Sequence, residues 1–295
     1  MSDRQTMAAA LSPGAIIGRV LIYVVLIVAA LYFLMPIVIM VLTSIKSMAD
    51  IRTGNLISLP DTVTIEPWRE AWGSACIGAR CEGIRHYFWN SVKMAVPAVG
   101  ISTLIGMING YVFSKWRFMG SEVFFSLLLV GCFIPFQVIL LPMASTLGKL
   151  GLSQSLVGLI VVHVLYGISF TTLFFRNYYI SIPDELVKAA RIDGAGFFRI
   201  LWKIILPLSA PIMVVCIIWQ LTQIWNDFLF GVVFSTGENQ PITVALNNLV
   251  NTSTGVKKYN VDMAAAIIAA MPTLVVYLAA GKFFLRGLTA GSVKG

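Results

Sequence analysis

Residues Val20–Ile45 read VLIYVVLIVAALYFLMPIVIMVLTSI, 26 consecutive positions without a charge. A hydrocarbon core ~30 Å thick needs about 20 such residues in a helix. The run exceeds the roughly 7–15 apolar residues of a secretory leader, and Ile37–Leu42 shows no small-residue cleavage pattern, so an uncleaved span is expected. Five more uncharged runs follow: Met94–Ser114, Val123–Gly148, Leu150–Phe175, Ile204–Asn226 and Met263–Gly281, of 21, 26, 26, 23 and 19 residues. Asn239–Val256 also lacks charge over 18 residues, but it holds Pro241 and five Asn or Gln. Unpaired amides are costly in lipid, so that stretch reads as a loop.

The whole composition agrees with this. Of 295 residues, 58% are hydrophobic and 12% charged; soluble domains average about 45–50% and about 25%. A fold of this length cannot hide that excess and keep a polar exterior. Soluble enzyme, nucleic-acid-binding protein and disordered chain are excluded as whole-chain readings. The +8 net charge points to anionic lipid and membrane orientation, with no nucleic-acid partner.

The expected fold is an all-α integral membrane protein with six transmembrane helices. It divides into an N-terminal segment 1–19, a six-span domain 20–286 and a tail 287–295. The spans lie near 20–45, 90–114, 122–147, 152–177, 204–230 and 263–285. An even number of spans puts both termini on one side. With the N-terminus inside, the inner segments carry 12 Lys/Arg, against nine outside, six of which belong to the long segment Lys46–Lys93. Long loops weigh little, so both termini are expected in the cytoplasm. Loops 46–89 and 231–262 then face outward and 178–203 inward.

Proline falls inside five of the spans: Pro36, Pro97, Pro135 with Pro142, Pro207 with Pro211, and Pro272. Ordinary helix curvature is the favoured reading. Gly106 and Gly110 form a G-x-x-x-G signal for close helix packing. Neutral polar residues within or beside the spans, Asn109, Gln137, Gln220, Gln223, together with Asp227, are candidate pore-lining groups. Gln220, Gln223 and Asp227 share a helical face by i, i+3, i+7 spacing, fit either to line a wet path for a hydroxyl-rich solute or to tie helices together. His163 lies within the fourth span without carboxylate company nearby in sequence, the pattern of an interior histidine more than of a proton relay.

No G-x-x-x-x-G-K-S/T motif occurs, so this chain does not cradle nucleotide phosphates. Four cysteines without C-x-x-C, and two histidines, form no metal-ligand cluster. Cys132 and Cys216 read as small apolar fillers. Cys76 and Cys81 share the first outer loop, where their spacing is compatible with a disulfide or with two thiols.

The most informative stretch lies between spans four and five: Ser181-Ile-Pro-Asp-Glu-Leu-Val-Lys-Ala-Ala-Arg-Ile-Asp-Gly-Ala-Gly-Phe-Phe-Arg-Ile-Leu-Trp-Lys-Ile-Ile-Leu-Pro207. Ser181 with Asp184 reads as a capping-box variant, and Asp184 and Glu185 suit a helix N-terminus. Leu186, Ala189, Ala190 and Asp193 follow one helical stripe, small enough for close approach by another surface. Gly194 and Gly196 stop the helix, and Phe197–Ile205 starts the next. Periodicity alone leaves a lipid-lying hairpin equally open.

Lys-Ala-Ala-x-x-Asp-Gly-Ala at 188–195, with Ile205-Leu206-Pro207, closely resembles the "EAA" loop of permease subunits in bacterial ABC importers, and its Arg-Ile-Asp-Gly-Ala form is similar to the carbohydrate branch. Gly287-Leu-Thr-Ala-Gly-Ser-Val-Lys-Gly295 resembles the terminus of a maltose-type permease subunit. The resemblance covers essentially the whole chain. It implies a bacterial inner-membrane subunit that pairs with a second permease subunit and an ATPase dimer, and takes sugar from a periplasmic binding protein. It also implies no catalysis and no cofactor in this chain, ATP and Mg being held by the ATPase. By the same resemblance Glu185, Lys188, Ala189, Ala190, Asp193, Gly194, Ala195 and Pro207 form the ATPase-coupling element. Thr289, Ala290, Gly291, Lys294 and Gly295 form a tail reaching the ATPase, and 231–262 meets the binding protein. Lys188 stands where the family has Glu, which reverses one docking charge. The cysteine pair with Tyr87-Phe-Trp-Asn-Ser91 resembles monosaccharide (glucose-like) permeases. A six-helix secondary carrier and an integral-membrane enzyme are the rivals. The first predicts internal repeats and clustered intramembrane charge, and the second a catalytic constellation.

Overall fold

The computed structural model describes residues 13–55, 57–251 and 257–290. Among them the architecture is all-helical; the nearest thing to a sheet is an isolated bridge between Ile77 and Arg80. In chain order the helices are α1 (Pro13–Ser44), α2 (Met48–Thr53), α3 (Glu66–Gly73), α4 (Arg85–Lys115), α5 (Ser121–Phe133), α6 (Phe136–Lys149), α7 (Leu156–Ile180), α8 (Asp184–Ile192), α9 (Phe197–Ile200), α10 (Leu206–Leu208), α11 (Ala210–Trp225), α12 (Leu229–Phe234), α13 (Ile242–Val250) and α14 (Tyr259–Ala290). Among the described residues four helices are long and apolar enough to cross a membrane, and up to six crossings result if two bent pairs each count as one.

The chain forms two compact units: residues 1–68 with 258–264, and residues 69–257 with 265–295. In the first, α1 is a single helix through Pro36, with large apolar side chains exposed on every face from Ile16 to Val41. A helix apolar all round suits lipid or a partner's surface. Below it Lys46 is almost fully buried, its ammonium donating to Asn55 O and Ser58 Oγ. Asn260 Nδ2 in turn donates to Lys46 O at 2.9 Å.

The second unit is built on α4 against α7. Gly106 and Gly110 make the close approach: a Cβ on Gly106 would overlap Thr171, and one on Gly110 would overlap Phe175 and the Arg176 backbone. Hydroxyls and amides stitch the seam. Thr171 Oγ1 donates to Ser102 O at 3.0 Å, and Asn109 Nδ2 donates to Thr172 Oγ1 at 3.2 Å. Such bonds between helices replace the absent hydrophobic drive in lipid. Arg176 ties in α5, pairing with Glu122 at 2.8 Å and lying 4.0 Å over the Phe125 ring.

Four sequence expectations are corrected. The second span's helix starts at Arg85, ahead of the expected 90. The third span is not a gently curved rod: α5 and α6 meet at 102°, broken where Ile134 turns extended before Pro135, as the clash with a following proline ring favours. The fifth is also broken, by 77° at Ser209, after a π-helical turn at Leu201–Ile205; Pro207 and Pro211 both lack the donor a continuous helix needs. Finally, the stretch expected as a loop holds α13, whose Ile242, Val244, Ala245 and Leu249 are buried while Asn248 donates to Gln240 Oε1.

Candidate functional site

Two places in the second unit gather the residues singled out by sequence. The first is α8. Ser181 does not cap it: its hydroxyl donates to Tyr178 O at 2.7 Å, and the N-cap position is Pro183 without a side-chain acceptor. The expected capping box is therefore absent. Asp184 is engaged instead by Lys115 from the end of α4, whose Nζ donates to Asp184 Oδ1 and Ile182 O, both at 2.5 Å. The Lys115 side chain is 4% exposed, so its stem is buried and only its head is used. That hydrogen bond, with the ammonium's charge, holds the Asp184 carboxyl below its usual range. Arg191 reaches back to the same place, its Nη2 donating to Lys115 O at 3.2 Å and its guanidinium 4.0 Å over the Trp116 ring.

The far end of α8 closes in a Schellman turn. Ala195 N donates to Ala190 O and Gly194 N to Arg191 O, with Gly194 at φ +78°, a conformation that costs other residues. Val187 and Ala190 face inward, onto a cluster that includes Tyr111, Phe175, Tyr179, Ile200, Leu201 and Ile205. Ala190 is thus 9% exposed and belongs to the anchoring face, which corrects its expected place on the outer stripe. Outward stand Glu185, Leu186, Lys188, Ala189, Asp193 and Gly194. Ile192 joins them at 87% exposure, a position the sequence reading passed over. Ala195 is half-buried, and Pro207 lies exposed in α10. Lys188 lines a cleft of about 460 Å³ with Lys115, Arg117, Arg191 and Asp184. The outer face is therefore small, partly apolar and cationic at one edge, and its base is fixed at both ends.

The second place is a cavity of about 400 Å³ between α7, α11 and the turn before α12. Gln220, Gln223 and Asp227 all line it, so three of the five candidate pore-lining residues meet there. The other two do not: Asn109 sits in the α4–α7 seam and Gln137 is exposed on α6. Gln220 Nε2 donates to Ser102 Oγ at 2.9 Å, and Gly167 makes room for it, since a Cβ there would overlap the amide. Asp227 accepts from Phe230 N and Gly231 N at 3.3 and 3.1 Å, starting α12. His163 is interior, as expected, but a carboxylate stands near it where none was expected: its Nε2 is 3.8 Å from Asp227 Oδ2. The two lie 64 positions apart in sequence, beyond any local spacing rule. Tyr166 and Trp219, also missed, supply ring surface in the same cavity.

Beside these, Cys76 and Cys81 are joined by a disulfide. The hairpin it closes carries Arg80 to an ion pair with Glu238. His86 Nε2 lies 2.9 Å from Glu238 O, and Asn90 donates to Glu238 O and Gln240 O. Ser91 Oγ accepts from Ile242 N at 2.9 Å. Segment 231–250 is thereby pinned onto α4 and is no slack connector. Of the expected tail, Thr289 and Ala290 fall in the last turn of α14, and Gly291, Lys294 and Gly295 lie outside the described residues.

Residues 102–288 match the family described as binding-protein-dependent transport system inner membrane component. A probable ABC transporter permease protein of Pyrococcus horikoshii is 41% identical over 94% of this chain and 98% of its own length. A xylose/arabinose import permease protein of Haloferax volcanii is 32% identical, with 87% of each chain covered. The crystal structure of a bacterial ABC transporter involved in the import of the acidic polysaccharide alginate superposes with TM-score 0.81 at 23% identity, over 92% of this chain and 98% of that one. That likeness is one of fold.

Proposed function

Because the chain belongs to the family of binding-protein-dependent transport system inner membrane components, we propose that it is a channel-forming subunit of an ATP-driven sugar importer in the bacterial inner membrane. It crosses the membrane six times, the bent pairs α5–α6 and α9–α11 each counting once, with both termini in the cytoplasm. A second permease subunit completes the pore. An ATPase dimer below hydrolyses ATP with its Mg, and a periplasmic binding protein delivers the sugar to segment 231–262. The pentose transport named for one relative supports a sugar as cargo.

The observation that carries this reading is α8: an outward face held on a base that cannot slide. Glu185, Lys188, Ala189, Asp193 and Gly194 offer the contact surface, and Ala190 and Val187 fix it to the ends of α4 and α7. A lever must move as one piece and have different contacts in two states. Lys188 at the rim of a cationic cleft suits an acidic patch on the ATPase, which accounts for Lys in place of Glu. Thr289, Ala290, Gly291, Lys294 and Gly295 extend the same contact.

The test is uptake in proteoliposomes holding both permeases, the ATPase and the binding protein. Transport should require ATP, persist when proton and sodium gradients are collapsed, and vanish with Asp193→Lys while the ATPase still co-purifies. Gradient-driven uptake without ATP would end the reading in favour of a secondary carrier.

A further inference from the structure

We propose that the cavity around His163 and Asp227 is a binding subsite for one neutral, polyhydroxylated ring of the transported solute, so that this chain itself contacts the cargo. The proposal rests on the sugar-importer reading and adds to it a place and a chemistry.

Three observations carry it. His163 is 5% exposed, lines the cavity, and its Nε2 has no hydrogen-bond partner. Buried polar atoms are seldom left so, and each asks for an explanation. Next, the gap between His163 Nε2 and Asp227 Oδ2 is 3.8 Å, too long for a hydrogen bond. A hydroxyl bound there donates its one hydrogen to the carboxylate and accepts from the imidazole N–H in the tautomer that carries the proton on Nε2. Third, the remaining wall mixes surfaces in the proportion a sugar presents. Gln220 has committed its amide nitrogen to Ser102 and keeps its carbonyl oxygen. Gln223 stands exposed at the rim. Trp219 and Tyr166 offer flat apolar faces for ring C–H groups. The volume, about 400 Å³, is at the small end of the roughly 300–1,000 Å³ of ligand sites.

An anion is disfavoured by Asp227, and a purely apolar solute would leave His163 Nε2 without a partner. A hydroxylated ring supplies one and adds to the two backbone bonds that Asp227 already accepts.

The experiment uses the complete transporter in proteoliposomes with its binding protein. The probes are radiolabelled glucose, xylose, arabinose and maltose, with choline as a cationic control. Wild type should take up at least one of these sugars in an ATP-dependent manner. His163→Phe and Asp227→Asn should raise the KM for that sugar about tenfold, the loss of one hydrogen bond to a charged or buried group. Gln223→Trp, which fills the rim from an exposed position, should block uptake while the subunits still co-purify. Wild type should also discriminate against one deoxy analogue of its sugar, and His163→Phe should lose that discrimination. A merely structural role would not move this ratio.

Unchanged KM and unchanged deoxy discrimination in both variants would mean that a water fills the gap, and the subsite is overturned. Choline carried in preference to every sugar overturns the ligand class. Absence of any ATP-dependent uptake by wild type refutes the importer reading itself, a separate result.

Discussion

Helix α7 serves two regions built on opposite plans. Toward its start, around His163, it borders open space walled by polar and aromatic groups. Toward its end, Phe175 and Tyr179 are fully buried in a solid cluster that carries α8. One helix thus joins a hollow end to a filled one. A filled region resists deformation because interiors are close-packed and carry strain; a hollow one can accept a guest. The groups that border open space gather at the hollow end, while within the solid cluster Tyr179 OH is bonded to Ser209 Oγ at 2.7 Å.

The largest effect should come from breaking what both ends share. Gly110→Leu puts a branched side chain where even a Cβ overlaps Phe175 and the Arg176 backbone; no assembled transporter should be recovered by size-exclusion chromatography. Next, Phe175→Ala at the solid end should cost about 3–5 kcal/mol, the range for a large buried side chain, and abolish coupling between solute and hydrolysis. Tyr166→Ala at the hollow end should lower the apparent melting temperature of the purified complex less, because that side chain borders space already present. Equal losses from the two truncations would erase the distinction between the ends.

A smaller loss is expected from Gly194→Val. A branched residue at positive φ is disfavoured by about 1–2 kcal/mol, so α8 should fray at its C-terminal turn and uptake should fall before assembly does. The smallest effect concerns Asp184. Its carboxyl pKa is depressed by Lys115, so the stabilisation is complete above the ordinary carboxylate range and is lost as pH falls through the lowered value. Asp184→Asn should flatten that acid-side loss in a melting series against pH, with a small loss at neutral pH, because Asp184 itself is largely exposed.

The sequence made some of this readable and hid the rest for physical reasons. The apolar runs, the Gly106–Gly110 approach and the stop at Gly194 are local signals, decided by a few neighbouring residues. The breaks at Pro135 and Ser209 were not readable from proline content, because Pro97, Pro142 and Pro272 remain inside unbroken helices. What differs is the surrounding chain: Ile134 is extended, whereas Pro97 lies in a helix braced along α7. Helix α13 was hidden by its amides, since counting Asn and Gln ignores that its apolar positions fall on one face. The His163–Asp227 approach depends on how α7 and the turn after α11 are brought together, which no spacing rule reports. Ala190 was misplaced because two adjacent alanines read alike until a neighbour covers one of them.

The π-helical turn at Leu201–Ile205 has a practical consequence. Such a turn holds one residue more than an ordinary coil of helix, and about 100° of rotation accompanies each residue. Excising a single position, such as Lys203, should restore a regular spiral but turn everything after it out of phase. Either Ile205 would leave its socket, or the Ser209 hydroxyl would swing away from Tyr179. A deletion scan through these five positions would act as a phase dial, reading how far the upper rod can be twisted against the knob below before traffic through the membrane stops.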